Sequence, residues 1–393
     1  MDEPDLLTRT LDCISTQSYR DFTVFICVNQ PDEWWDNPEK VSVCRNNSGS
    51  LELLSGITSF PLIILDHASR GLGWNSKSQG VGHARKVLID AISNAGNPND
   101  VIISLDADTT FPEDYFLSVA RNFLDHPEAV ALSVPYFHKC VADKIVSRAM
   151  LRYEIYMRHY FLNLVRIGSP YAFTALGSAM AFPLWAYRAI GGMSPKKSGE
   201  DFYFLQKLRK FGSVLLWNDL PVFPEARFSD RVFFGTGPAM IKGANGDWTS
   251  YPIYPSALFT DLLETYQLLP VLFLKTLNTE VVNFMVQITG DGDPLRPLRE
   301  NHKDLDHFIR AFHEKFDGLR ILQYLKTKNG NFQHGDEENL WNFLEKYYPG
   351  ANGELKVVWN DFNFETASVA ELEKIRSFLF EKETEYRFSS SFQ

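Results

Sequence analysis

Through the first part of the chain, short wholly apolar runs alternate with longer stretches whose apolar residues recur at helical spacing. Residues 6–18 have the helical spacing, and FTVFICV (22–28) reads as a buried strand. Residues 62–65 form a second short strand, 82–93 a helix, VIISL (101–105) a strand, 112–124 a helix and 129–134 another strand. Strands alternating with helices predict a mostly parallel sheet with helices on both faces. In such sheets the ligand site lies outside the carboxyl ends of the strands. Residues 144–166 form one long helix in which Arg148, Arg152, Arg158 and Arg166 recur. These arginines read as a solvated basic face, or as a face that meets an anionic acceptor or a membrane surface. Beyond about residue 245, Asn245-Gly246-Asp247 and Tyr251-Pro252-Ile253-Tyr254-Pro255 read as loop, and helical patterns follow at 258–269, 281–288, 305–316 and 370–381. The expected division is an α/β domain over residues 1–245 and a mainly helical region over 246–393.

Composition narrows the function. A net charge of −10 disfavours non-specific nucleic-acid binding, which needs a basic surface, so no nucleic-acid partner is expected. The aromatic content of 14% suits sugar rings and nucleobases as well as a filled core. Cys13, Cys27, Cys44 and Cys140 show no CxxC spacing, which argues against a zinc site and for a reducing compartment. The acidic start MDEPDLLTRT has no apolar signal segment, and the apolar run at 268–274 is broken by Pro270 and too short for a span. The expected location is cytoplasmic, with peripheral contact at the inner face of a membrane as an open option.

Chemistry concentrates in three segments. In VIISLDADTTFPEDY an apolar strand runs straight into Asp106-Ala107-Asp108. Two carboxylates one residue apart at a strand's carboxyl end offer hard oxygen ligands for Mg²⁺ or Mn²⁺, which also bridges a diphosphate. The alternative is a helix-capping turn before Phe111-Pro112-Glu113. The second segment is ALGSAMAFPLWAYRAIGGMSPKKSGEDFYFLQKLRKFG. Gly177-Ser178 opens an apolar stretch, Gly191-Gly192 makes a tight turn, and Gly199-Glu200-Asp201 precedes an amphipathic helix. Acidic residues favour a helix start in their own right. A carboxylate there can equally take the proton from an attacking hydroxyl. In the third segment, PEARFSDRVFFGTG, Arg227, Ser229 and Arg231 alternate along one face. They read as a lid on a diphosphate, which arginine binds bidentately, or as partners of Asp230 or Glu225.

Together these motifs resemble the family 2 glycosyltransferases of the GT-A fold, a Rossmann-like architecture for nucleotide-diphospho-sugar transfer, in a non-processive, bacterial-type form. The matching residues are Asp106-Ala107-Asp108 after a strand, Gly177-Ser178 with Met180, Gly191-Gly192-Met193 and Gly199-Glu200-Asp201-Phe202. Upstream, Gly80-Val81-Gly82-His83-Ala84-Arg85 is similar to the family's glycine-containing segment ending in Ala-Arg. The resemblance covers about residues 3–240. It implies that Asp106 and Asp108 serve the nucleotide ribose and a metal-diphosphate, with Asp108 as the metal ligand. It implies Asp201 as the base, Glu200 as an aid to acceptor binding, and Arg85 with Gly82 near the nucleotide or phosphates. Asn29 ends a strand where many relatives carry an acidic residue that reads the base.

The expected activity is therefore inverting, divalent-metal-dependent transfer of a hexose from a nucleotide-diphosphate sugar to a hydroxyl of a glycan or lipid-linked acceptor. Its rivals are a nucleotidyltransferase of similar fold and a non-catalytic relative. No QxxRW follows Asp201, which argues against a processive synthase. The strand that such folds place before the first helix is missing, because Met1-Asp2-Glu3-Pro4 already reads as the turn after it. A true start roughly ten residues upstream is the expectation, about one strand plus a short lead.

Overall fold

The structure is a computed structural model that describes residues 4–75, 80–196, 198–229, 235–332, 334–355 and 362–390. Two compact units emerge. The first comprises Met1–Met150, Ala175–Ile241 and Arg387–Gln393, and the second Leu151–Thr174 and Lys242–Tyr386. The expected single cut at 245 thus becomes a more interleaved division, with residues 151–174 joining the C-terminal helices and residues 387–393 returning to the first unit.

In order along the chain, the first unit holds α1 (Pro4–Ser15), β1 (Val24–Asn29), α2 (Val41–Ser55), β2 (Leu62–His67), α3 (Val81–Ala95), β3 (Val101–Ser104), β4 (Thr109–Thr110), α4 (Tyr115–Asp125) and β5 (Ala131–Ser133). The long α5 (Lys144–Arg166) follows, then β6 (Met180–Pro183), α6 (Leu184–Ala189), α7 (Glu200–Phe211), β7 (Val214–Leu215), β8 (Phe223–Pro224) and α8 (Thr236–Ala244). The α/β class is as expected. β1 and β2 pair in parallel. β3, β6, β5 and β7 form a four-stranded sheet in that order. Its sheet is mixed, which corrects the simple parallel reading. β6 runs antiparallel to both β3 and β5, while β5 and β7 pair in parallel. Three of the four strands thus share a direction and β6 opposes them from between. A strand set between two that share a direction, and running against both, cannot come from a chain of simple parallel crossovers.

β5 and β6 are the core of this unit, since every side chain from Ala131 to Ser133 and from Met180 to Pro183 is buried. Their near-continuous apolar sequences are those of strands covered on both faces. α4 starts three residues later than the sequence suggested. Gln17, just past α1, explains why. Its Oε1 accepts from the Phe116 N–H at 2.9 Å and its Nε2 donates to the Pro112 carbonyl at 2.7 Å, so a distant side chain caps the helix.

The second unit is helical, as the C-terminal pattern implied. It contains α9 (Ser256–Gln267), α10 (Leu269–Leu274), α11 (Glu280–Thr289), α12 (Arg296–Asn301), α13 (Leu305–Lys315), α14 (Gly318–Asn329), α15 (Asp336–Tyr347), α16 (Ala351–Glu354) and most of α17 (Val369–Ser390). Phe259, Phe284, Phe308, Phe312, Phe316, Tyr324 and Phe343 are fully buried among them. The arginines of α5 correct a second expectation. Arg152 and Arg158 are buried, not displayed on a surface. Arg158 donates to Glu383 at 2.6 Å, and Glu154 accepts from Arg376 at 2.6 Å, all four side chains being at most 1% exposed. Arg152 pairs with Asp336 and lies over the rings of Trp248 and Phe364. Arg166 lies over the Tyr347 ring, 4.3 Å from its centroid. Arg152 and Arg158 thus serve buried ion pairs and do not form a solvated or acceptor-facing surface. No described helix is long and apolar enough to cross a membrane.

A candidate active site of carboxylates around Arg85

The site lies in the first unit and grows out of β3. Ser104 closes that strand, and the chain turns at once, with the Thr109 N–H donating to the Asp106 carbonyl at 3.1 Å. The Thr10 hydroxyl of α1 reaches the carbonyls of Ala107 and Thr109, both at 3.1 Å, and braces the turn. Asp106 and Asp108 project from it. Neither caps α4, whose cap position is Asp114, so the helix-capping alternative is set aside.

Asp106 accepts from Nη2 of Arg85, and the other terminal nitrogen, Nη1, donates to Oε1 of Glu200. One buried guanidinium therefore joins a carboxylate at the end of β3 to a carboxylate in the first turn of α7, although the two stand almost a hundred residues apart in the chain. Two glycines make this approach possible. A Cβ on Gly177 would overlap the Arg85 guanidinium, and a Cβ on Gly82 would overlap the Lys196 carbonyl and press on the Glu200 side chain at 3.1 Å. Gly177 is itself fixed, because its carbonyl accepts from the Ser104 hydroxyl at 2.7 Å. Ser178 is buried beneath it at the entrance to β6.

Asp201 lies beside this group. Its Oδ1 accepts from the Phe202 N–H at 2.7 Å, and the Gly177 amide also serves its carboxylate. Burial raises the Asp201 pKa, against the opposing charge of Arg85 and these two amides. Burial likewise pushes Glu200 up to about 7, with Arg85 opposing and the negative charges of Asp201 and Asp106 adding to the rise. Burial alone would weaken the charge on Arg85, but Asp106, Glu200 and Asp201 outweigh it and raise its pKa. Both acids also occupy the first turn of α7, where the helix dipole favours them, so the helix-start reading and the catalytic one coexist.

Asp108 has a different partner. β8 pairs with β4, Thr109 lying opposite Pro224 and Thr110 opposite Phe223, and this register delivers Arg227 to the turn. Nε and Nη2 of Arg227 both donate to Asp108 Oδ2, at 2.9 and 2.6 Å. The expected alternative partner, Glu225, pairs with Arg9 at 3.1 Å. Ser229 packs against Gly237 at the start of α8. Arg231 lies outside the described residues. Asn29 ends β1 opposite His67, apart from the carboxylate group, with Trp74 stacked obliquely on His67 and edge-on to His83. Arg85 thus sits among carboxylates instead of presenting its fork to phosphates, and sequence reasoning missed its pairing with Glu200. The available signal was the charge balance, since three acids in two apolar contexts require a cation. Among the described residues no group of three or more His, Cys, Asp or Glu gathers to hold a metal.

Residues 101–241 match the family model described as Glycosyl transferase family group 2. No curated protein matches the chain. Solved structures similar to it include TarS of S. aureus (residues 1–349, in complex with UDP-GlcNAc), at 13% identity over 89% of each chain with a TM-score of 0.41. They also include the mannosyltransferase PcManGT from Pyrobaculum calidifontis in complex with GDP-Man and Mn²⁺, at 14% identity over 97% of this chain and 84% of that one, with a TM-score of 0.36.

Proposed function

We propose that the chain, whose residues 101–241 match the model described as Glycosyl transferase family group 2, transfers a hexosyl group from a nucleotide-diphosphate sugar to an acceptor hydroxyl, with inversion, by a single displacement. The observation that carries the reading is the Arg85 bridge, which brings the Asp106 end of β3 and the acid pair of α7 into one cluster. A transfer site needs these two functions side by side. One carboxylate group meets the donor, and another takes a proton from the nucleophile.

In this reading Asp201 is the base. It is partly buried, it accepts from the Phe202 amide, and part of its surface stays open. The acceptor hydroxyl loses its proton to Asp201 as its oxygen attacks the anomeric carbon from the side opposite the diphosphate. The nucleoside diphosphate departs, so the configuration inverts. In this reading Asp106, 42% exposed at its side chain, hydrogen-bonds the nucleotide's ribose. Asp108 would hold a Mg²⁺ or Mn²⁺ ion, which when bound supplies positive charge to the departing diphosphate. Arg227 already supplies a positive charge at that position and is suited to phosphate oxygens. In this reading Asn29 and Gly82 belong to the donor side, and Ser178 and Ser229 to the acceptor side or lid. The acceptor is a glycan or lipid-linked hydroxyl.

The test is release of nucleoside diphosphate from a panel of UDP-, GDP- and dTDP-hexoses with MnCl₂ or MgCl₂, read with and without added glycan acceptors. Release should fall on chelation and in Asp108→Asn. Activity that survives both would remove the metal role. Release of pyrophosphate in place of nucleoside diphosphate would instead make the protein a nucleotidyltransferase.

A further inference from the structure

Arg85 is 9% exposed, and both ends of its fork are engaged by carboxylates. We propose that Arg85 is a positioning residue of the transfer reaction, one that fixes the donor-side carboxylate Asp106 and the acid pair Glu200-Asp201 at a set spacing on a seat made by Gly177. The inference rests on the reading of Asp201 as the base.

Three features of the geometry converge on it. Arg85 uses two different terminal nitrogens for its two partners, and the guanidinium plane holds those nitrogens at a fixed angle and separation. A lysine in its place has the charge but only one pivoting donor centre. The second feature is Gly177. Its missing side chain admits the guanidinium, and its carbonyl is tied to Ser104 on β3. The floor beneath Arg85 is therefore anchored to the strand that delivers Asp106. The third feature is Gly82, one helical turn before Arg85 on α3. Its bare Cα lets α3 close onto Lys196 and Glu200, which fixes the other side of the bridge. Arg85 touches neither the hydroxyl nor the sugar in this scheme. It acts through Asp106, Glu200 and Asp201.

A residue of this kind supports the rate of the step more than the affinity for the donor. The experiment measures kcat and KM for nucleoside diphosphate release, with water as acceptor, using whichever of UDP-glucose, UDP-GlcNAc or GDP-mannose the panel shows to be consumed. Arg85→Lys keeps the charge and loses the fork. Gly177→Ala keeps arginine and disturbs its seat. Ser104→Ala, a mild change, only frees the Gly177 carbonyl. Arg85→Lys and Gly177→Ala should each lower kcat on the order of 10- to 100-fold, as small misplacements of catalytic groups do, with donor KM altered less than about threefold. Ser104→Ala should lower kcat by about 3- to 10-fold in the same pattern, on the scale of one lost hydrogen bond. A KM raised tenfold at unchanged kcat in Arg85→Lys would show Arg85 binding the donor directly and overturn the proposal. Unchanged kcat in both Gly177→Ala and Ser104→Ala overturns it as well, whether or not Arg85→Lys folds. Asp201→Asn separates the two readings. If that variant keeps its rate while Arg85→Lys loses it, the base assignment fails and the positioning role of Arg85 stands.

Discussion

Asp201 must be ionised to accept a proton, and its surroundings work against that. Burial favours the neutral acid, while Arg85 and two amides pull the other way, and the net pKa is raised. A base with a raised pKa stays protonated where an ordinary carboxylate, titrating near about 4, is already charged. The acid limb of kcat should therefore lie above the ordinary carboxylate range, with activity lost as pH falls through it. Glu200 draws on the same arginine and is pushed up to about 7. Glu200→Gln removes that competing acid and leaves more of the Arg85 charge to Asp201, so the limb should move to lower pH. A pH profile that does not move in Glu200→Gln excludes Asp201 as the titrating group. Asp201→Asn keeps the shape and loses proton acceptance. It should cost on the order of 10²–10⁴ in rate at nearly unchanged donor affinity, checked by steady-state kinetics beside a thermal-shift titration.

Elements bring these residues together, and they differ in how plainly the sequence shows them. α5 was legible to the residue, because its apolar period is long and unbroken, yet the role of its arginines was not. A charge repeating along a helix looks solvated unless its partners are known, and Glu383 and Arg376 lie more than two hundred positions away. α2 carried almost no signal. Its buried face is Cys44, Asn47, Ser50 and Leu54, two of them polar, and Asn47 donates to Gln30, a residue outside the helix, at 2.7 Å. The Asp106-Ala107-Asp108 and Glu200-Asp201 motifs were legible because strand ends and helix starts announce themselves locally. Their meeting at Arg85 was not, since it depends on β6 entering between β3 and β5. Two predictions belong here. Gly82→Ala forces a methyl group against the Lys196 carbonyl and Glu200. It should destabilise by about 1–3 kcal/mol as overpacking does, and reduce transfer at the same time, measured by denaturant unfolding and the release assay. Arg158→Met removes the cation that pairs with Glu383 at 2.6 Å and leaves Glu154 with Arg376 in place of two arginines, in the interior of the second unit. Removing one partner of a buried pair costs about 3–5 kcal/mol, so its unfolding midpoint should drop far more than that of an exposed change such as Arg70→Met.

At the scale of the whole molecule, the sheets of the first unit leave two strand edges to be explained. Among the described residues β1 pairs with β2 alone and β3 with β6 alone. The ladder fixes which amides face outward. Val24 and Gln30 donate to the carbonyls of Pro61 and His67, so the even-numbered amides of β1 face β2 and those of Phe25, Cys27 and Asn29 face the opposite side. Leu184 donates to Asp100, which makes Ile102–Phe182 and Ser104–Met180 the hydrogen-bonded pairs and turns the amides of Val101 and Ile103 away from β6. The side chains agree with this. Val101, Ile102 and Ile103 are half-buried despite an entirely apolar sequence, whereas β5 and β6 are buried throughout. Edge amides open to water exchange without the unfolding that buried ladders require. Hydrogen exchange followed by NMR should show Phe25, Cys27, Asn29, Val101 and Ile103 exchanging orders of magnitude faster than Leu132, Ala181 and Phe182. The fast set should be confined to alternate positions of β1 and β3. If all five are as protected as the β5–β6 ladder, something covers both edges in solution. Repeating the measurement across a protein dilution series would then distinguish a second copy, whose protection fades on dilution, from cover within the chain, whose protection does not.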